Sequence, residues 1–163
     1  MQLVSDQSYE AFFKAEYRSL VALGAAMTGS LELAQDLAQD ALTRAFQQWE
    51  KISQYDRAGA WVRRVLINAA IDAIRRRGRE SKALTRLPAT PTSIVTDEGS
   101  DEWWRAVRAL PDRQRAAVAL YYLEDMSVAE VAQVLDIAEG TVKASLSKAR
   151  ASLATALKEV DAS

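Results

Sequence analysis

From Phe12 onward, apolar side chains return every three or four positions: Phe12, Phe13, Tyr17, Leu20 and Val21, then Leu33, Leu37, Ala41, Leu42, Ala45 and Phe46. That spacing collects them on one stripe of a helix, whereas a half-buried strand would alternate every second residue. The pattern recurs through most of the chain, so the expected fold class is all-α. "TGS" at 28–30 breaks the first helix, and Ser30 is placed to cap the second. "SQYDRAG" at 53–59 reads as a loop before a third helix running from about Ala60 to Arg79. Helices resume at about 101–109, ended by Pro111, then at 112–123, 127–135 and 140–158.

Several function classes are excluded by what the 163 residues lack. Cysteine and histidine are both absent, which removes disulfides, thiolate chemistry, structural zinc fingers and the commonest general base. No glycine-rich phosphate loop or "GxSxG" turn accompanies the carboxylates and lysines. No catalytic residue, metal ligand or cofactor is therefore expected, and the chain does not read as an enzyme. No apolar run approaches the roughly 20 residues that cross a bilayer, and "MQLVSDQSYEAFF" lacks a basic, apolar signal pattern. The expected location is the cytoplasm, with no membrane insertion and no small-molecule substrate.

The net charge of −1 hides an uneven distribution. Residues 61–86 carry eight basic and two acidic side chains, while the segments on either side are net acidic. One basic segment in a weakly acidic protein suits local nucleic-acid contact within a larger assembly better than independent DNA binding, because phosphate neutralisation supplies most non-specific affinity. Residues 80–100, "ESKALTRLPATPTSIVTDEGS", hold two prolines among Thr and Ser and show no helical period. They read as a linker between two helical modules, at 5–79 and 101–159.

In the second module, Ser127 and Glu130 have the spacing of a capping box, and the glycine-containing "DIAEG" at 136–140 separates two amphipathic helices. That is a helix-turn-helix arrangement. On the last helix Val142, Leu146, Ala149 and Leu153 form a packing stripe, with Thr141, Ala144, Ser145 and Lys148 opposite and Lys143 and Arg150 on the flanks. Small residues allow close approach to a groove, hydroxyls can meet bases or phosphates, and cations bind phosphate. The third helix, "AWVRRVLINAAIDAIRRRGR", buries Val62, Leu66, Ala69, Ala70 and Ala73 on the wheel. Opposite them lie Trp61, Arg64, Asn68, Asp72, Arg75 and Arg79: a ring for an unstacked base, cations for phosphate and an amide for a base edge. Asp72 is spaced to hold Arg75 or Arg76.

These segments carry a family resemblance. "DLAQDALTRAFQQW" at 36–49 and "AWVRRVLINAAIDAIRRR" at 60–77 resemble region 2 of a bacterial RNA polymerase sigma factor of the extracytoplasmic-function (ECF) class, within the sigma-70 family. "ALPDRQRAAVALYYLEDMSVAEVAQVLDIAEGTVKASLSKAR" at 109–150 resembles region 4 of the same class. The resemblance implies two small helical domains, a region 2 bundle and a region 4 helix-turn-helix, joined by the linker. It further implies that Asp36, Gln39, Asp40, Thr43 and Arg44 dock on the clamp helices of the polymerase β′ subunit.

On the same resemblance, Ser53, Gln54, Tyr55, Asp56 and Arg57 form the loop that captures a flipped base of the minus-ten element, with Trp61, Arg64, Asn68, Arg75, Arg76 and Arg79 holding the strand upstream. Region 4 would bind the β flap and read the minus-thirty-five element through Thr141, Lys143, Ala144, Ser145, Ser147, Lys148 and Arg150. The family often has Ser-Arg where this chain has Ala144-Ser145, and commonly arginine where Lys148 stands. An arginine lost there removes a bidentate guanine contact of about 1–3 kcal/mol. Implied partners are core RNA polymerase, promoter DNA and an anti-sigma factor, and no cofactor is implied. On this reading the cationic side of the third helix must face outward rather than into a shared core. Two other readings stand beside it: a stand-alone helix-turn-helix regulator whose first module dimerises, and a protein that occupies polymerase or a sigma partner without reading DNA.

Overall fold

The structure is a computed structural model that describes residues 2–84 and 98–162. Every regular element among them is helical. The first module holds α1 (Gln2–Thr28), α2 (Leu31–Gln47), the single turn α3 (Trp49–Ile52) and α4 (Ala58–Leu84). The second holds α5 (Glu98–Arg108), α6 (Asp112–Val118), a π turn (Ala119–Leu123), α7 (Val128–Leu135) and α8 (Glu139–Ala162).

The break between α1 and α2 is made as the sequence predicts. Gly29 takes φ +75°, a left-handed conformation that costs a side-chain-bearing residue about 1–2 kcal/mol. Its amide donates to the Ala25 carbonyl at 2.8 Å and closes α1. The Ser30 hydroxyl then accepts from the Leu33 amide at 3.1 Å and opens α2. The two helices approach closely at Gly24, where an added Cβ would lie 3.1 Å from that of Ala34. α4 packs across both. Leu20, Leu23 and Met27, Ala41 and Leu42, Ile52, and Val62, Leu66, Ile67 and Ala70 fill the space between these helices. Phe46 departs from its stripe: it is 53% exposed, although its ring meets Tyr9 edge-on at 4.9 Å.

α4 is longer than the sequence reading placed it. It starts at Ala58 and continues five residues past Arg79 to Leu84. Glu80, Lys82, Ala83 and Leu84 are good helix formers with no breaker among them, so the turn chemistry begins only beyond this point. α5 likewise starts at Glu98, and residues 85–97 of the expected linker lie outside the described residues.

In the second module, Val142, Leu146, Ala149 and Leu153 of α8 are all buried, as the wheel requires. They pack with Leu120 of the π turn and with Val131 and Val134 of α7 in the same core cluster. The capping box is complete: Ser127 accepts from the Glu130 amide at 3.1 Å, and Glu130 accepts from the Ser127 amide at 3.2 Å. These bonds hold the Glu130 carboxyl below its ordinary pKa, the Ser127 amide bond first. Asp136 at φ 55° ends α7 and turns the chain into α8.

The two modules are not separate bodies in this structure. Their buried residues form one contiguous cluster, with α7 on α4 and with α5 and the π turn on α1. Gly29→Ala is expected to destabilise the protein by about 1–2 kcal/mol through the left-handed backbone alone. Urea unfolding measures this, and an unchanged midpoint would refute the assignment of strain.

Candidate nucleic-acid interface

α2 presents Asp36, Gln39, Asp40, Thr43 and Arg44 together on its exposed side, opposite buried Leu37, Ala38, Ala41, Leu42 and Ala45. Phe46 lies beside Gln39 on the helix, and sequence periodicity missed it because a stripe-edge position can face either way. The turn after α3 leaves Ser53, Gln54, Tyr55, Asp56 and Arg57 exposed, with Tyr55 at 41%. An aromatic ring held out on a tight turn offers a face on which an unpaired base could stack.

The expected strand-binding face of α4 divides into two parts. Asn68, Arg76 and Arg79 are exposed, and Arg77 joins them. Trp61 is only half-buried, but it packs against the core rather than standing free as a stacking platform. Arg64 is directed at the second module: its Nε donates to the Val134 carbonyl at 3.0 Å and its Nη2 to the Gln133 carbonyl. These carbonyls belong to the last turn of α7, where helix acceptors lack internal partners and the dipole is negative. The expected pairing of Asp72 with Arg75 or Arg76 does not form. Arg75 instead donates from Nε to Asp112 Oδ2 at 2.9 Å. The packing of the modules brings the start of α6 to α4, and a carboxylate 37 positions away is nearer than one a helical turn away.

Arg63, which the sequence reading left without a role, is 7% exposed. Its Nη1 meets Glu16 of α1 at 2.8 Å and the Gly59 carbonyl at 3.1 Å. Its Nη2 meets Glu124, just after the π turn, at 3.1 Å. A cation one position from buried Val62 was the available signal, because arginine is almost never buried unpaired. Beside it, a cavity of about 400 Å³ between the modules is lined by Arg57, Gly59, Ala60, Arg63, Met126, Glu130 and Val134. Arg115 is the counterpart from the other side, donating to the Met27 carbonyl at the end of α1 at 2.9 Å and to Leu110 at 3.2 Å. Burial lowers its pKa, while Asp112 acts in the opposite direction.

On α8, Thr141, Lys143, Ala144, Ser147 and Lys148 are exposed on one continuous side and Ser145 is half-buried at its edge. Arg150 is also exposed, but it is held: its Nε donates to the Tyr122 hydroxyl at 2.8 Å and its guanidinium lies 5.7 Å from the Tyr121 ring centre. No group of acidic side chains arranged to hold a metal ion occurs among the described residues, and no helix there is long and apolar enough to cross a membrane. Arg63→Met leaves two largely buried carboxylates without their cation and is expected to cost about 3–5 kcal/mol. A chemical-denaturation midpoint within error of the parent's would contradict that.

The family described as Sigma-70 region 2 matches residues 12–80, and Sigma-70, region 4 matches residues 100–153. The RNA polymerase sigma-E factor of Streptomyces coelicolor is 37% identical over 122 residues, which cover 74% of this chain and 69% of that protein. The ECF RNA polymerase sigma factor SigM of Mycobacterium tuberculosis is 33% identical over 156 residues, covering 92% and 77%. Among solved structures, the sigma factor RpoE in complex with the anti-sigma factor NepR from Bartonella quintana has a TM-score of 0.74 at 24% identity, over 92% of this chain and 96% of that one. CnrH in complex with the cytosolic domain of CnrY has a TM-score of 0.70 at 18% identity, over 96% of each chain.

Proposed function

The chain belongs to the ECF class of RNA polymerase sigma factors, and from that premise we propose how its surfaces divide the work of directing core polymerase to promoters and opening them. The exposed side of α2, with Asp36, Gln39, Asp40, Thr43 and Arg44, docks on the β′ clamp helices, and the helix-turn-helix module meets the β flap. The turn Ser53–Arg57 takes an extruded base of the minus-ten element. Holding such a base offsets unpairing and unstacking costs of a few kcal/mol. Asn68, Arg76 and Arg79 bind the strand upstream, joined by Arg64 and Arg75 once these leave their present partners. Thr141, Lys143, Ala144, Ser145, Ser147 and Lys148 enter the minus-thirty-five major groove. Without the family's arginines they read it through hydroxyls, close approach and phosphate contacts more than through bidentate guanine bonds.

The observation that carries this proposal is the tandem of region 2 and region 4, each with an exposed helix face of the matching chemistry. No catalytic step belongs to the chain itself, and the protein works in the cytoplasm. A separate anti-sigma factor is proposed as its keeper, as in the RpoE–NepR complex. Run-off transcription with core enzyme tests the function: a specific start site supports it, and a chain that binds core without directing any transcript would reduce it to an interaction protein.

Two substitutions test the residues. Asp40→Arg places a cation in the docking face and is expected to abolish co-elution with core polymerase, so undiminished co-elution refutes that face. Arg75→Ala with Arg76→Ala is expected to weaken promoter opening while sparing core binding. Permanganate footprinting reads this directly, and unchanged thymine reactivity counts against the assigned role.

A further inference from the structure

Each module closes a helix end of the other, and the residues doing so in the first module are those proposed to hold the promoter strand. Arg64 is spent on the last carbonyls of α7, and Arg75 on Asp112. Arg63, between them and the core, is tied to Glu124. In the opposite direction, Arg115 reaches the Met27 carbonyl, and Arg108 lies against Gly29, its Nε 2.9 Å from where a Cβ would stand. The side of α8 proposed for the minus-thirty-five groove is left exposed. We propose that this arrangement is a closed state of the free protein, in which the helix-turn-helix module covers the strand-binding cations of α4 while its own groove-reading face stays open.

The contacts suit a reversible cover. Asp112 and the α7 carbonyls occupy Arg75 and Arg64 as a phosphate backbone would, so DNA and the second module compete for the same donors. The Arg75–Asp112 pair is exposed on the arginine side, with 65% of that side chain accessible, and is therefore open to exchange. The buried Arg63 contacts fix how the modules meet. A state that is competent only when open binds its ligand more weakly by the fraction open, so a protein closed about 90% of the time loses about tenfold in apparent affinity.

The inference rests on the sigma-factor reading, and its test separates the two. The chain has no cysteine, so spin labels at Ala11→Cys on α1 and Ser152→Cys on α8, both exposed and outside the assigned surfaces, report the separation of the modules in the full-length protein. Electron–electron double resonance is expected to give one narrow distance for the parent. The distribution becomes longer and broader with Asp112→Asn plus Glu124→Gln, and longer again when core polymerase is added to the parent. In parallel, a fluorescein-labelled single-stranded DNA of mixed sequence is expected to bind the double variant about tenfold more tightly than the parent. A control with Glu159→Gln plus Asp161→Asn, which changes charge equally far along α8, should gain much less. Should the double variant unfold by circular dichroism, Asp112→Asn alone carries the test with a gain of about threefold. Equal gains in variant and control, or identical distance distributions in all states, overturn the closed state. If holoenzyme yields no specific transcript while the distances shift as expected, it is the sigma-factor reading that fails.

Discussion

One guanidinium holds the fold to its particular shape. Arg63 stands on α4 next to buried Val62, meets a carboxylate from α1 and another from beyond the π turn, and takes the Gly59 carbonyl as well. Taking one cation and two anions out of water is expensive, and their mutual attraction does little more than offset the loss. What the cluster supplies is direction. A planar donor with fixed N–H vectors accepts partners only in certain places, so the second module can seat on the first in one orientation without leaving a charge unmet. The contacts of Arg64 and Arg75 on the same helix follow from that seating.

The remaining bonds between modules share a simple logic. Helices end with carbonyls that have no internal donor, and α1 and α7 both end where the modules meet. Arg115 meets the Met27 carbonyl at one, and Arg64 the Val134 carbonyl at the other. Each cation also sits at the negative end of a dipole, a gain of about 0.3–1 kcal/mol apiece. Such bonds orient more than they bind, because water or a phosphate can replace either partner.

How much of this was legible depends on the range of the interaction. The buried stripe of α8, the Ser30 cap, the Ser127–Glu130 box and the helix-turn-helix were readable because each is settled within a few residues. The exposed side of α2 followed in the same way. The pairing of Asp72 with a neighbouring arginine was a local inference that failed, since Asp112 and Glu124 lie 37 and 61 positions from their arginines and only the packing of modules brings them near. Trp61 and Phe46 exchanged their expected environments for the same reason: both sit where a stripe meets its border, and the neighbouring helix decides which way they go. The end of α4 was missed because helix-forming residues run on past the last arginine.

The π turn at Ala119–Leu123 fits one residue more into its coil than a regular helix would. Loss of a single codon there would restore regular winding and swing the downstream chain by about 100° around the axis. Glu124 would be carried off Arg63, and Tyr122 off Arg150. A lineage could thus loosen or retune the grip between its two halves by insertion or deletion at this one place, leaving the residues that touch polymerase and promoter unaltered.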